Sequence, residues 1–384
     1  MRSTNNRIQN NPSAATVTKL IGGECVAMMS LLEAEGPAVS VLLPVRNGAA
    51  YLEDAVGSIL RQSFADFELL LVDDGSDDAT PAIARRLAAT DARLRILTQD
   101  RHGIVAALNR GLHAARAKLI ARMDADDLAW PDRLARQVAI FRGDPDLALV
   151  ASAWRIVSAA GDVRRTIHPP QTDAGLRAAL ARGNVLAHPT IMFRRDAVLA
   201  LGGYRDGFPL AEDYDLWLRL LERHKAMCLA DVLLDYREHE GQATWSDIEQ
   251  RILSEMAVQA AASRRAAGQP DGGDAPGACG RARLRALGLN EIEIAAGVVA
   301  RALGSAKAAR AGGNRQATQA AARLGLRQPG LALRTRLHFV LLLWQSRWRR
   351  IVRLGGANAG VRPLPPGPVS PAPPPATPDV WSRR

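Results

Sequence analysis

The sequence predicts an α/β protein built on a mostly parallel sheet flanked by helices, with a C-terminal helical appendage. Three observations lead there. Short apolar runs alternate with helical runs from residue 39 to residue 124, the pattern of consecutive βαβ units. The chain has 384 residues, 47% of them apolar, enough to bury a large core and a second unit. Beyond about residue 280 the sequence turns to Ala/Arg-rich stretches at helical spacing.

Each element follows in order. "VSVLLPV" from Val39 reads as a buried strand and "AAYLEDAVGSILRQ" as an amphipathic helix. "FELLLVDD" is a second strand, and "TPAIARRLAAT" a helix with Pro81 in its first turn. "LRILTQ", "GIVAALNRGLHAA" and "KLIARMD" give the third strand, third helix and fourth strand. From about Leu147 the strict alternation ends. "LALVASAWRIVSAAGDVRRTI" reads as a hairpin with a Gly-Asp turn, and "HPTIMFRR" as another strand. "AEDYDLWLRLLERH" reads as a helix and "VLLDYREH" as a closing strand. "AAGQPDGGDAPGACG" is the linker candidate, and "PLPPGPVSPAPPPATP" marks a disordered proline-rich tail. The expected organisation is an N-terminal extension (1–37), a catalytic domain (38–265), a linker (266–280), a basic helical region (281–354) and the tail (355–384).

The net charge of +11 is unevenly spread. Fifteen Lys/Arg and one acid, Asp379, follow Glu293, a net +14 that leaves −3 for residues 1–293. A polyanionic or membrane partner therefore belongs to the C-terminal part. Cys25, Cys228 and Cys279 form no CxxC pair, which fits a reducing compartment and excludes a disulfide framework or zinc site. The densest apolar run, "FVLLLW", falls far short of the ~20 residues that span a bilayer. The N-terminus lacks a continuous apolar signal region, and Met28 or Met29 is an alternative start that mass spectrometry of the native N-terminus would decide.

In parallel sheets ligands bind beyond the carboxyl ends of the strands. Those ends read "RNG", "DDGSDD", "DRHG" and "DADD", three of them acidic. In "ARMDADDLAWPDRL", Asp124 and Asp126 fall on one face of an extended chain while Asp127 faces elsewhere. Two aspartates with room for water suit Mg²⁺ or Mn²⁺. A solvated acidic helix start reads the same residues equally well. A calcium loop is excluded because Leu128 and Ala135 stand where Gly and Glu are needed. "PVRNGA" is not the glycine fingerprint of a dinucleotide site. Asp73 and Asp74 end a buried strand, where a carboxylate can accept from a base N–H or a ribose hydroxyl; an ordinary Asp-Gly turn at Gly75 is the alternative. Glu212 and Asp213 open an amphipathic helix and could supply a general base or simple helix-end charge. His239 and Gln242 follow the last strand, and His239 can reach a metal or a phosphate or lie on the surface.

The order and spacing of these motifs closely resemble the family 2 glycosyltransferases, the inverting GT-A type with a Rossmann-like sheet. "LLPVRNGAAYLEDAVGSILRQSFADFELLLVDDGSDDAT" resembles the family's opening. "GIVAALNRGLHAARAKLIARMDADDLAWPDRLARQ" continues it, and "HPT", "AEDYDLWLRL" and "HEGQ" complete it in family order. The resemblance covers about residues 38 to 245 and implies a role for each matching position. Asp73 and Asp74 would hold the nucleoside, with Pro44 and Arg46 lining base and ribose and Arg101 approaching the ribose or diphosphate. Asp124 and Asp126 would be the Asp-x-Asp pair, Asp126 the main ligand of Mg²⁺ or Mn²⁺. Asp213 would be the catalytic base, Glu212 its neighbour, and His239 and Gln242 would close over the diphosphate or metal. Val45 departs from the family, which usually has an aromatic or polar residue there.

The resemblance implies transfer of a sugar from a nucleotide-diphosphate donor to a glycan or lipid-linked acceptor in bacterial surface-polysaccharide or glycolipid assembly. A nucleotidyltransferase that makes such donors is disfavoured, since its Gly-rich loop is missing after the first strand. A non-catalytic polyanion- or membrane-binding module is the alternative of another class. Two-carboxylate glycoside hydrolysis would leave Asp73 and the Asp-rich loop unexplained.

In the C-terminal part, "ARALGSAKAARAGGNRQATQAAARLGLRQPGLALR" reads as a helix hairpin with small residues at Ala309, Ala317 and Ala321 and a Pro329 stop. Leu333, Leu337, Val340, Leu341, Trp344, Trp348 and Ile351 form one helical stripe, with Arg334, Arg336, Arg347, Arg350 and Arg353 off it. Residues 333–353 are thus expected either to meet an anionic inner-leaflet membrane surface or to pack the stripe on the catalytic domain. No specific nucleic acid is expected, and the predicted location is cytoplasmic, peripheral on the inner membrane face.

Overall fold

The computed structural model describes residues 36–239, 247–273, 277 and 279–354, with side chains as far as residue 346. Strands β1 (Val39–Val45) and β2 (Phe67–Asp74) are buried at every position. Their unbroken apolar sequence is what a strand covered on both faces requires. With β3 (Leu94–Gln99) and β4 (Leu119–Arg122) they form four parallel strands in the order β3-β2-β1-β4. Helices α1 (Leu52–Leu60), α2 (Thr80–Ala88) and α3 (Ile104–Ala114) make the crossovers. The strand order reverses at β1, so a crevice opens between the loops after β1 and β4, the usual ligand position of such sheets. Gly111 of α3 lets that helix lie directly on β1 and β2, because a Cβ there would overlap Leu42. Asn109, two residues earlier, exchanges hydrogen bonds with the backbone of Tyr204, 2.9 Å each way. The Asn-x-Gly of the third helix is therefore architectural.

Beyond β4 the sheet continues through β8 (Met192–Arg194), β6 (Leu147–Ser158), β9 (Lys225–Glu238) and β5 (Leu128–Ala129), with β7 (Val163–Ile167) paired to β6. The β6–β7 hairpin turns at Gly161, which takes φ +90°. Two expectations are corrected here. "HPTIMFRR" is not one strand: His188–Thr190 forms a 3-10 turn and only Met192–Arg194 pairs. Pro189 has no N–H for a ladder, so the chain turns first. The closing strand starts at Lys225, seven residues before "VLLDYREH", and runs parallel to β6 with register shifts.

Helices α4 (Arg133–Gly143), α5 (Asp173–Leu180), α6 (Arg195–Ala200) and α7 (Glu212–Leu221) complete this body. One apolar cluster lies on the face covered by α1, α2 and α4, with Val41, Leu69 and Leu134 among its members. The other, on the α3 and α7 face, runs on into α8 (Ile248–Ala266), α10 (Glu291–Ala311) and α11 (Arg315–Leu326). Leu42, Trp217, Ile252, Val298, Ala321 and Phe339 belong to this single cluster. Ala309, Ala317 and Ala321 are buried, as a closely packed helix hairpin needs. The break after α8, which leads to α9 (Arg281–Ala286), is tied down at Asp271 by Arg265 (2.7 Å) and Arg205 (3.0 Å).

The last helix, α12 (Leu333–Leu354), docks through Phe339, Leu342 and Ser346. The stripe read from the sequence faces solvent instead: none of Leu333, Leu337, Val340, Leu341 and Trp344 is buried. The alternative that this stripe packs on the catalytic domain does not hold for those five residues.

Candidate active site

Strand β4 is pinned between β1 and β8, and β5 is pinned to β9. The chain must reverse between them within residues 123–127, and it does so in a turn at 125–126. The loop is therefore not extended, and all three carboxylates converge: Asp124, Asp126 and Asp127 each bring an oxygen to within 4.8 Å of the others. The expectation that Asp127 faces elsewhere is corrected by this turn. Asp127 is fully buried; its Oδ1 accepts from the Arg237 backbone N–H (2.8 Å), and its Oδ2 has no partner among the described residues. Asp126 Oδ2 lies 2.9 Å from His239 Nε2, whose ring also stacks obliquely on Tyr51.

Asp124 pairs with Arg122, the last residue of β4, whose side chain is buried. Burial works against the Arg122 cation, but Asp124 more than offsets it and raises its pKa. Burial also drives the Asp124 and Asp127 carboxyls above their ordinary range, and the Asp126 charge adds to this. Three converging carboxylates with one guanidinium, Arg122, paired to them and Arg133 acting from below leave negative charge to be compensated. An all-oxygen donor set of this kind fits a hard divalent cation such as Mg²⁺ or Mn²⁺.

The floor beneath is polar and held by internal hydrogen bonds. Arg133 is buried with no ion pair among the described residues, although the Asp127 charge acts on it, and its Nη2 donates to the carbonyls of Arg122 (2.7 Å) and Ile191 (3.2 Å). Burial, with Arg122 nearby, lowers its pKa to about 9. Gln137 Nε2 donates to the carbonyls of Val150 and Thr190. These two side chains of α4 knit β4, the 188–190 turn and β6 into one rigid base. His188 is buried against the edge of Trp217, with Nε2 2.9 Å from the Tyr204 hydroxyl. Burial, reinforced by Arg122, pushes its pKa well down and keeps it neutral.

Glu212 and Asp213 open α7. Asp213 Oδ1 accepts from the Tyr214 N–H (2.6 Å) and its Oδ2 from Asn184 Nδ2 (3.0 Å). Burial raises the Asp213 carboxyl to about 6, and burial with Asp213 beside it raises Glu212 to about 7. Both carboxyls feel the Arg122 charge, so the acidic loop and this helix start share one electrostatic neighbourhood. A carboxyl poised near neutrality suits a general base.

At the end of β2, Asp73 is buried with Oδ1 turned back to Ser76 N (3.0 Å). Asp74 accepts from Gln99 Nε2, His102 N and Gly103 N, all through internal bonds that hold the loop after β3. Gly75 takes φ +68°, and a Cβ there would come within 2.9 Å of the Arg101 backbone nitrogen. That close approach sets the loops after β2 and β3 against each other. Pro44 is buried at the end of β1; Arg46 and Arg101 are exposed at the rim. Asn47, at φ 53°, is bonded to Ser76 and Asp77 and joins the first two loops. Gln242 lies outside the described residues.

Arg122, Arg133, Gln137 and Asn184 do not stand out in the sequence reading. Arg122 carried a signal, a lone charge ending an apolar strand run; Asn184 carried none. Asn184→Ala is expected to lower kcat/KM about ten-fold or more near neutral pH, since a hydrogen bond to a charged group contributes about 1.5–3 kcal/mol. The acidic limb of its pH profile should move up, because the bond to Asn184 favours the ionised Asp213. A uniform loss at all pH values would mean that Asn184 only supports the loop.

Comparison with known proteins adds an independent line. A family model described as glycosyl transferase family 2 matches residues 40–202. The chain is 34% identical over 207 residues to the O-antigen biosynthesis glycosyltransferase WbnJ of Escherichia coli, covering 52% of this chain and 80% of that protein. It is 35% identical over 208 residues to the putative glycosyltransferase EpsE of Bacillus subtilis, covering 53% of this chain and 74% of that one. Among solved structures, the mannosyltransferase PcManGT of Pyrobaculum calidifontis, in complex with GDP-Man and Mn²⁺, superimposes with a TM-score of 0.49 at 21% identity. That superposition covers 88% of this chain and 98% of the other.

Proposed function

Because this chain belongs to glycosyltransferase family 2, we propose that it moves a sugar from a nucleoside-diphosphate donor to an acceptor hydroxyl with inversion. The observation that carries the reading is the gathering of two carboxylate sites around Arg122: the Asp124–Asp126–Asp127 loop and the Glu212–Asp213 helix start. Asp213 takes the acceptor proton as the hydroxyl attacks the anomeric carbon from the side opposite the diphosphate. A single displacement of this kind inverts the configuration and needs no nucleophilic carboxylate on the protein. Asp124 and Asp126, with Asp127 beside them, would hold Mg²⁺ or Mn²⁺, which when bound supplies Lewis-acid neutralisation of the departing diphosphate. His239, just past the last strand, orients Asp126. Asp73, Pro44 and Arg46 line the nucleoside end; Asp74 contributes by holding the loop that presents Arg101.

The E. coli relative acts in O-antigen biosynthesis, which supports a cell-surface polysaccharide or glycolipid as the product and a glycan or lipid-linked acceptor. A cytoplasmic location is part of the reading, supported by the free thiols of buried Cys228 and Cys279. No helix among the described residues is long and apolar enough to cross a membrane.

The test is a thermal-shift series with UDP, GDP, dTDP and CDP, each with Mg²⁺, Mn²⁺ or chelator. A ligand that binds only the folded chain stabilises it by mass action. One nucleotide is expected to raise Tm at low concentration and only with metal. No shift with any nucleotide in either metal would overturn the reading.

A further inference from the structure

We propose that α12 is an interfacial helix that lays its solvent-facing stripe on an anionic lipid surface while its opposite face stays packed on α10 and α11. The helix has two apolar faces. Phe339 and Leu342 are buried on one. On the other, Leu333 is 72% exposed, Leu337 59%, Trp344 53%, Val340 49% and Leu341 47%. They make up five of the eight exposed large apolar side chains among the described residues, all within three turns of one helix. A contiguous patch of this kind marks a contact surface rather than scatter.

Charge selects the occupant. At 100° per residue, Arg334 and Arg336 border the stripe on opposite sides, and both are exposed. The sequence then repeats the spacing with Trp348 and Ile351 and adds Arg347, Arg349, Arg350 and Arg353. No acid occurs from Ile294 to Pro378. A second copy of the chain meeting this face would set arginine borders against each other with no carboxylate in this region to pair them. A nucleic acid would leave the five apolar side chains against phosphate. An anionic bilayer surface satisfies both halves, taking the Leu and Trp side chains into the acyl boundary and the arginines at the headgroups. The arginines also forbid insertion across the bilayer, so the helix lies in the plane of the surface.

The experiment is flotation of the full chain with vesicles of phosphatidylcholine carrying about 30% phosphatidylglycerol, against phosphatidylcholine alone, because basic residues read anionic headgroups. Co-flotation with the anionic vesicles is expected, falling about ten-fold on neutral vesicles or in high salt. Leu337→Glu with Trp344→Glu should abolish flotation. Both side chains are largely exposed, so the variant should fold and keep the wild-type nucleotide-induced thermal shift. Arg334→Glu with Arg336→Glu should remove the preference for anionic lipid. Flotation of the Leu337/Trp344 variant at the wild-type level would overturn the proposal. So would a wild-type chain that floats with neither vesicle, or a dimer in light scattering that this variant dissolves. The nucleotide shift reads the glycosyltransferase site separately, so failure of one reading is distinguishable from failure of the other.

Discussion

Asp213→Asn is expected to reduce sugar transfer roughly 10²–10⁴-fold, the usual contribution of a positioned general base, while nucleotide-induced stabilisation stays within about two-fold of wild type. The split follows from where Asp213 sits. It is held by Tyr214 N and Asn184 at the start of α7, on a different element from the acidic loop after β4. The amide keeps the shape and the accepting oxygen but cannot take a proton. In the wild type, burial holds the Asp213 carboxyl near 6, so kcat/KM should rise as pH passes through that region and the base ionises. Glu212 titrates beside it, so the limb belongs to the pair. In the variant that limb should be lost. Near wild-type transfer by Asp213→Asn, measured with a saturating donor, would move the base elsewhere.

Asp126→Asn should separate function from stability. Transfer should fall at least a hundred-fold and the metal-dependent part of nucleotide-induced stabilisation should disappear, since one of two paired ligands to a dication is lost. In chelator, however, the variant should be more stable than wild type at neutral pH, by on the order of 1 kcal/mol after allowance for solvent screening. The reason is crowding: three carboxylates lie within 4.8 Å, and burial with the Asp126 charge holds Asp124 and Asp127 above the ordinary carboxylate range. The sign follows from linkage. The folded wild type keeps protons on Asp124 and Asp127 that the unfolded chain has released, so the contribution of this loop to stability declines as pH rises above about 4. That decline should be shallower in the variant, and the two proteins should converge at low pH. A variant less stable than wild type across the whole range in chelator would show that the His239–Asp126 bond outweighs the repulsion. Saturating Mg²⁺ or Mn²⁺ should reverse the order, because only the wild type gains the binding energy.

Much of this protein is written locally. The four parallel strands were legible because both faces are covered, which demands unbroken apolar runs such as "VSVLLPV" and "FELLLVDD". Positions of the Asp-rich ends followed, since ligands gather beyond the carboxyl ends of such strands. The helix hairpin of α10 and α11 was legible from small residues at helical spacing. The apolar stripe of α12 could be read as a stripe but not as exposed. Periodicity reports that a face is apolar, and only the packing of Phe339 and Leu342 on the other side shows which face the body uses.

What the tertiary structure alone decided is how charges are compensated. Asp127 joins Asp124 and Asp126 because β4 and β5 are anchored to different neighbours, which forces a turn where the spacing suggested an extended chain. Arg133 and Gln137 form the floor because buried donors must find carbonyls on whichever strands lie nearest, while the Arg122 side chain turns to Asp124. Asn184 meets Asp213 across 29 residues of chain. The strand–helix alternation and the family motifs are properties of neighbouring residues, so the sequence by itself determined them. Partners for a buried charge are chosen by long-range packing, which no local spacing encodes.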